Sequence, residues 1–194
     1  MSKNYSLDVT PPNEQRIPEH ERDDDWIRSF LHQARIGHFA THWEGQPFIT
    51  PSTFWFDEER NEIIFHSNIV GRVRANIEHH EQVCFETSEN GDFLPSNVAL
   101  EFSVQHAGVI AFGSAYVVEE NEAKRRVLYE LIGKYFPSMD AGKEYRPITD
   151  QELARTSVYA IKIESWSGKK NWSEHADQSD EWPAFELTLH DKLD

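Results

Sequence analysis

Two different periods of apolar and polar residues run along this chain. Trp26, Ile27, Phe30, Leu31 and Ala34 recur at helical spacing and share one face. Asp23, Asp24 and Asp25 stand before them as an N-cap and an acidic first turn. Gly37 is the expected C-cap residue. Beyond it the period falls to two. Residues 38–43 read as a strand, 44–46 as its turn, and 47–56 as a second strand with Pro51 at a bulge or edge. A polar hairpin loop over 57–62 leads into a third strand at 62–66. Gly71 opens a short helix with Val73 and Ile77 on one face, and 82–86 is a fourth strand. Residues 89–96 read as a loop. Residues 102–118 are β-rich but broken by Gly108 and Gly113, which suits two strands or one bent strand. A helix over 119–136 carries Ala123, Val127, Leu128, Leu131, Ile132 and Tyr135 on one stripe and ends at Pro137. Residues 156–166 alternate as a last strand. Many short strands with two or three helices predict a mainly β fold with flanking helices, a small barrel with helices packed outside.

The two ends of the chain read differently. Residues 1–22 hold three prolines and little apolar content, a polar N-terminal arm. Residues 171–194 form an acidic tail, leaving 23–170 as one barrel domain. The formal net charge is −15, with −4 in residues 1–25 and −6 in residues 171–194. No basic stripe suits a nucleic acid. The run Lys124-Arg125-Arg126 lies among glutamates and reads as a solvated helix face with intrahelical pairs. The tail has no continuous apolar pattern apart from residues 182–185 and Leu187, and is expected to be dispensable for folding. No apolar run is long enough for a transmembrane helix, and the first twenty residues lack the apolar core of a secretory signal. A single cysteine, Cys84, leaves no internal disulfide. A reduced, cytoplasmic protein is the reading that follows.

Standard catalytic signatures are missing: no nucleophile elbow, Walker loop, dinucleotide fingerprint, zinc-protease helix or CxxC. Cys84 sits mid-strand and is expected to be a buried core thiol. His79 and His80 are adjacent, so they should point to different helix faces, and His38 and His42 are about 13 Å apart along a strand. No metal is expected. The informative stretch is Phe65-His66-Ser67-Asn68-Ile69-Val70-Gly71-Arg72-Val73-Arg74. A strand ends in small polar residues and a helix begins with two arginines, the only basic residues between Arg60 and Lys124. Helix-start amides favour an anion, and Arg72 offers a planar fork for phosphate oxygens. The competing reading pairs Arg72 with Glu78 or Glu81 on the surface.

Three blocks of the chain resemble the pyridoxamine 5′-phosphate oxidase-like FMN-binding split-barrel superfamily, nearest its nitroimidazole-resistance and general-stress flavoprotein branch. Gly45-Gln46-Pro47-Phe48 through Phe54-Trp55-Phe56 resembles the strand pair under the flavin. Phe65-His66-Ser67-Asn68 with Gly71-Arg72 resembles the family's phosphate motif. Gly108 to Ala115, followed by 117–135, resembles its late strand and helix. The resemblance implies a six-stranded split barrel and a homodimer with FMN at the subunit interface. The flavin ring would lie along the backbone of Pro51, Ser52, Thr53 and Phe54. His66, Ser67 and Arg72, with the neighbouring Val73, would contact the ribityl and phosphate groups, and Lys169 or Lys170 would add charge from the late strand. Exposed apolar strand residues such as Phe54 and Phe56 would be covered by the second subunit.

Departures from that pattern set the expected function apart. The oxidase proper has basic residues at the positions of Pro51, Phe56 and Val73 and a glutamine at that of Gly108, and its C-terminal Trp and Arg elements have no match here. The expected function is therefore a flavin-dependent oxidoreductase acting on a small molecule, with a nicotinamide as candidate electron donor, and not pyridoxamine phosphate oxidation. The alternatives are a non-catalytic flavin-binding or stress protein, and a flavin-free interaction module whose acidic arms bind a basic partner. No catalytic residue is assigned.

Overall fold

A computed structural model describes residue 6 and residues 10–183. The apolar pattern at residues 184–187 lies outside the described residues. After a 3-10 turn at Pro18–His20 come β1 (Glu21–Arg22), α1 (Asp24–Gln33), β2 (Gly37–Trp43), β3 (Gln46–Ser52), β4 (Trp55–Asp57) and β5 (Glu62–Asn68). They are followed by α2 (Arg72–His79), β6 (Gln82–Leu94), β7 (Ser103–Val118), α3 (Asn121–Tyr135), α4 (Asp150–Leu153) and β8 (Thr156–Asn171). One sheet of eight strands runs β3-β2-β6-β7-β8-β5-β4, with β1 paired to the far end of β8. Every pairing within it is antiparallel.

The class is the expected one, but the strands number eight, not six. One added strand is the two-residue β1. The other appears because the expected second strand breaks at Thr53-Phe54. There Tyr135 Oη, on α3, accepts the Phe54 N–H at 3.0 Å and donates to the Arg35 carbonyl at 2.6 Å, so the ladder stops and restarts as β4. β6 and β8 run well past their apolar patterns, and β7 takes the one-bent-strand form of the expectation. Residues 89–94, expected as loop, continue β6 against the start of β7, with an irregularity between Asn90 and Phe93. Residues 103–118 are one strand, with a register shift against β8 between Phe112 and Gly113. β8 runs on to Asn171.

Local chemistry fixes the ends. Asp23 caps α1 by accepting the Trp26 N–H. Gly37 is not its C-cap: Ala34 ends the helix and Gly37 starts β2, where a Cβ would sit 2.2 Å from the Phe85 ring. Glu44 and Gly45 both have positive φ and join β2 to β3 in a two-residue hairpin whose twist suits the strands.

Alternation on β2, β6 and β7 sends Phe39, Phe85 and Val109 inward, where they meet Phe54, Phe56, Phe65, Tyr159 and Ile161. α1 adds Ile27, Phe30 and Leu31 to this core, and α2 adds Val73 and Ile77. Outside the barrel, α3 lays Val127 on Ile64, Val158 and Ala160 of β5 and β8. The outer face of β3, β2, β6 and β7 stays open, with Ile49 69% and Ile110 38% exposed. Phe54 and Phe56, expected at an exposed face, are fully buried. The basic run on α3 is not simply solvated either. Lys124 is buried and donates to the Leu153 carbonyl at 2.6 Å, which ties α3 to α4, while Arg125 reaches Glu122 within the helix and Asp150 beyond it.

Candidate functional site

The stretch singled out in the sequence spans the end of β5 and the start of α2. His66 and Ser67 are adjacent on β5, so alternation sends them to opposite faces. His66 is half-buried, its Nδ1 has no partner among the described residues, and burial lowers its pKa from the usual histidine range. Ser67 Oγ lies 2.9 Å from Tyr159 Oη. The chain then turns, with the Val70 N–H donating to Asn68 Oδ1. Gly71 stands at the N-cap of α2 and provides no side-chain cap, so the first amides of the helix keep free donors.

Arg72 is exposed and makes no ion pair among the described residues. The competing surface pair falls instead to Arg74, which bonds Glu78 and Glu119. The Arg72 guanidinium lies over two rings of the β2–β3 hairpin, 5.4 Å from the centre of Trp43 and 5.5 Å from that of Phe48. Aromatic faces hold a cation without neutralising it, so the fork keeps its charge and its N–H donors for an anion. Val73 turns its side chain into the core.

Phe48 belongs to β3, the edge strand that carries Pro51 and Ser52. Three residues of strand, about 10 Å, separate Phe48 from Pro51. The fold therefore brings the edge of β3 and Arg72 to one region. Pro51 is exposed, Ser52 and Thr53 are half-buried, and Phe54 is fully buried with its N–H held by Tyr135. An edge strand carries backbone donors and acceptors that no further strand satisfies, a row that a heteroaromatic ring with donors and acceptors along its rim can match. Pro47 and Pro51 fit only such an edge. Lys169 is not brought to this region within the chain. Ser67 pairs with Ser157 on β8, and Lys169 stands twelve residues further on, some 40 Å of strand away, beside Glu21.

Several groups escaped the sequence reading because they meet across long separations. His42 stacks on His80 at 4.1 Å, and His79 meets the His80 ring at 4.6 Å and Trp43 at 4.4 Å. The two adjacent histidines therefore converge, since His80 lies just past the end of α2. They line a cleft of about 660 Å³ with Arg74, Glu78, Glu119 and Tyr116. Tyr116 donates to Glu62, and burial with that carboxylate pushes its pKa up to about 12. Among the described residues no group of three or more His, Cys, Asp or Glu side chains is placed to hold a metal ion. Cys84 is not in the core: it lies half-exposed on the outer face of β6, where partial burial and Glu86 raise its pKa and keep it a thiol. His38 Nδ1, on β2, sits 2.8 Å from Glu86 Oε2 on β6.

The sequence profile of the pyridoxamine 5′-phosphate oxidase family matches residues 23–170. The chain belongs to this family. No curated protein matches it significantly. Among solved structures it is similar to the flavocytochrome Anf3 from Azotobacter vinelandii, at 20% identity and a TM-score of 0.75, covering 91% of this chain and 85% of that one. It is also similar to the FAD and heme binding protein from Mycobacterium smegmatis, at 20% identity and TM-score 0.72, covering 88% and 89%. A putative 5-nitroimidazole antibiotic resistance protein from Bacteroides thetaiotaomicron matches at 19% identity and TM-score 0.64, covering 76% and 84%. At such identities the likeness is one of fold. At the three positions set apart above from the oxidase pattern, this family member carries Pro51, Phe56 and Val73.

Proposed function

We propose that this family member is an FMN-binding flavoprotein that moves electrons between a reduced nicotinamide and a small organic acceptor. The observation that carries the reading is Arg72: a guanidinium seated on Trp43 and Phe48, free of carboxylates among the described residues, at an uncapped helix start. A terminal phosphate dianion answers that arrangement. The names of the similar proteins, which include FAD and heme binders, support a redox cofactor. The edge backbone of Pro51, Ser52, Thr53 and Phe54 would hold the ring, and Ser67, Arg72 and the Val73 amide would face the ribityl phosphate; His66, on the opposite face of β5 from Ser67, would not join them from the same chain. The bound flavin would supply the two-electron chemistry, and the protein would position it and exclude water. The open face with Ile49 and Ile110 would be covered by a second copy, with FMN at that interface. Lys169 then serves the site only if it comes from the partner subunit.

An absorption spectrum of the purified protein separates flavin from heme, and mass analysis of the released group separates FMN from FAD. FMN is the expected result. Apo-protein titrated with FMN and followed by flavin fluorescence tests the assignment of Arg72. A charge-assisted phosphate contact is worth about 1.5–3 kcal/mol, so Arg72→Ala should weaken binding by about 10- to 100-fold while the apo fold holds. An unchanged dissociation constant would remove Arg72 from the site. Oxidation of NADH or NADPH with quinone or nitroaromatic acceptors tests turnover. A colourless protein that binds no flavin would overturn the reading.

A further inference from the structure

We infer that His38 and Glu86 are the proton-transfer pair of the proposed flavin site; this rests on the flavin reading above. Register places His38 directly beside Pro51 on one side and Glu86 on the other. It is thus the side chain that links the edge strand β3 to the middle of the sheet. His38 Nδ1 lies 2.8 Å from Glu86 Oε2, so the Nδ1–H donates to the carboxylate and Nε2 is left as the nitrogen that exchanges with a ligand. Both side chains are partly exposed, at 44% and 35%. Their surroundings on the outer face are apolar: Pro47, Ile49 and Pro51 from β3, Ala40 from β2, Ile110 and Phe112 from β7. The other titratable groups on the outer face of these strands are Cys84 on β6, His42 further along β2, and His106 and Tyr116 towards the two ends of β7; β3 supplies none.

The position is fixed by the backbone beneath it. Thr87 Oγ1 donates to the Ile36 carbonyl at 2.7 Å, and no side chain fits at Gly37 against the Phe85 ring. An acid–base group held rigidly beside a cofactor strand, with its second nitrogen free, has the geometry of a general acid. In the step assigned here, an acceptor of the quinone class gains two electrons and two protons. A bound reduced flavin would supply the two electrons and one of the protons. The other is the Nε2 proton of His38: the N–H bond breaks as the acceptor's O–H bond forms, and water reprotonates the imidazole. Glu86 acts through His38, as a positioning residue whose carboxylate holds the Nδ1–H and fixes the ring.

The test uses the full-length protein with FMN, a reduced nicotinamide and a soluble benzoquinone, and compares His38→Gln and Glu86→Gln with the parent. Flavin fluorescence should give FMN dissociation constants within threefold of one another. In protein labelled at histidine, the imidazole signal missing from His38→Gln should move when FMN is added, and in Glu86→Gln its position should change because the ring loses its carboxylate partner. Reoxidation of the reduced flavin by the quinone should slow by about 10²- to 10⁴-fold in His38→Gln. Binding of FMN with no movement of the His38 signal, or with reoxidation within threefold of the parent, overturns the inference and leaves the flavin reading standing. Failure of the parent to bind FMN overturns both.

Discussion

The two outer faces of the barrel have opposite fates. On β5 and β8 the outward residues Ile64, Val158 and Ala160 are buried under Val127 of α3, and α3 is pinned in turn by Lys124, Arg125 and Tyr135. On β3, β2, β6 and β7 the outward residues are of similar chemistry, among them Ile49, Ile110 and Phe112, yet Ile49 stays 69% exposed. Apolar side chains on both faces show that hydrophobicity alone does not decide what is buried. The covered face is completed by its own chain. The open one keeps a hydrogen-bonded pair, His38–Glu86, in its middle and the edge of β3 at its rim, as a working surface does.

Charge placed on each face sharpens the contrast most. Val127→Asp buries an uncompensated carboxylate and should cost about 3–5 kcal/mol of stability in a denaturant melt. Ile49→Asp should leave the stability of the single chain within about 0.5 kcal/mol. Light scattering on the same two variants reads the other half: Ile49→Asp should shift any self-association towards the 22.6 kDa chain. Equal losses of stability from the two substitutions would break the comparison.

A smaller effect separates the faces by pH. Lys134, on α3, donates to the Leu31 carbonyl and has its pKa lowered to about 8 by burial. The unfolded chain then binds more protons than the folded one above that value, so stability from this group rises as pH rises from about 8 towards 10. Lys134→Met should remove that rise, and melts at pH 8 and pH 10 of both proteins check it. The smallest expected effect is at the C-terminal segment. Ser96 and Asn97 bond backbone atoms of Asp177 and Ser179, and Ala176 is buried, but the contacts lie at the tip of the sheet. Truncation after Trp172 should lower the melting temperature by a few degrees and keep one cooperative transition.

Local chemistry was legible in the sequence wherever it acts over a few residues. The Asp23 cap, the turn at residues 44–46, the helix opened by Gly71 and the arginine pair all declared themselves. The tips of the long strands did not, because residues 88–92 are polar or glycine and a paired end exposed on both sides has no apolar alternation to show. The break at Phe54 depends on Tyr135, eighty-one residues away, and the His38–Glu86 pair spans forty-eight. Register decides such meetings, and register is a property of the assembled sheet. The seat of Arg72 was half legible: its charge and place stood out, but Trp43 and Phe48 as its support did not.

β8 pairs with β7, β5 and β1, so one strand near the C-terminus joins both halves of the barrel and the N-terminal segment. A ribosome making this protein releases that strand after the other described strands. For the first 155 residues the nascent chain carries β5 and β7 without the neighbour that satisfies their edges. At about 5–20 residues per second that interval lasts many seconds, long enough for unpaired edges to find other chains. Closure is then a late, non-local event, of the kind that makes β topologies slow to fold. Of the described strands, the last to leave the ribosome is the one that makes the barrel a barrel, and crowding at the polysome is where this architecture is exposed.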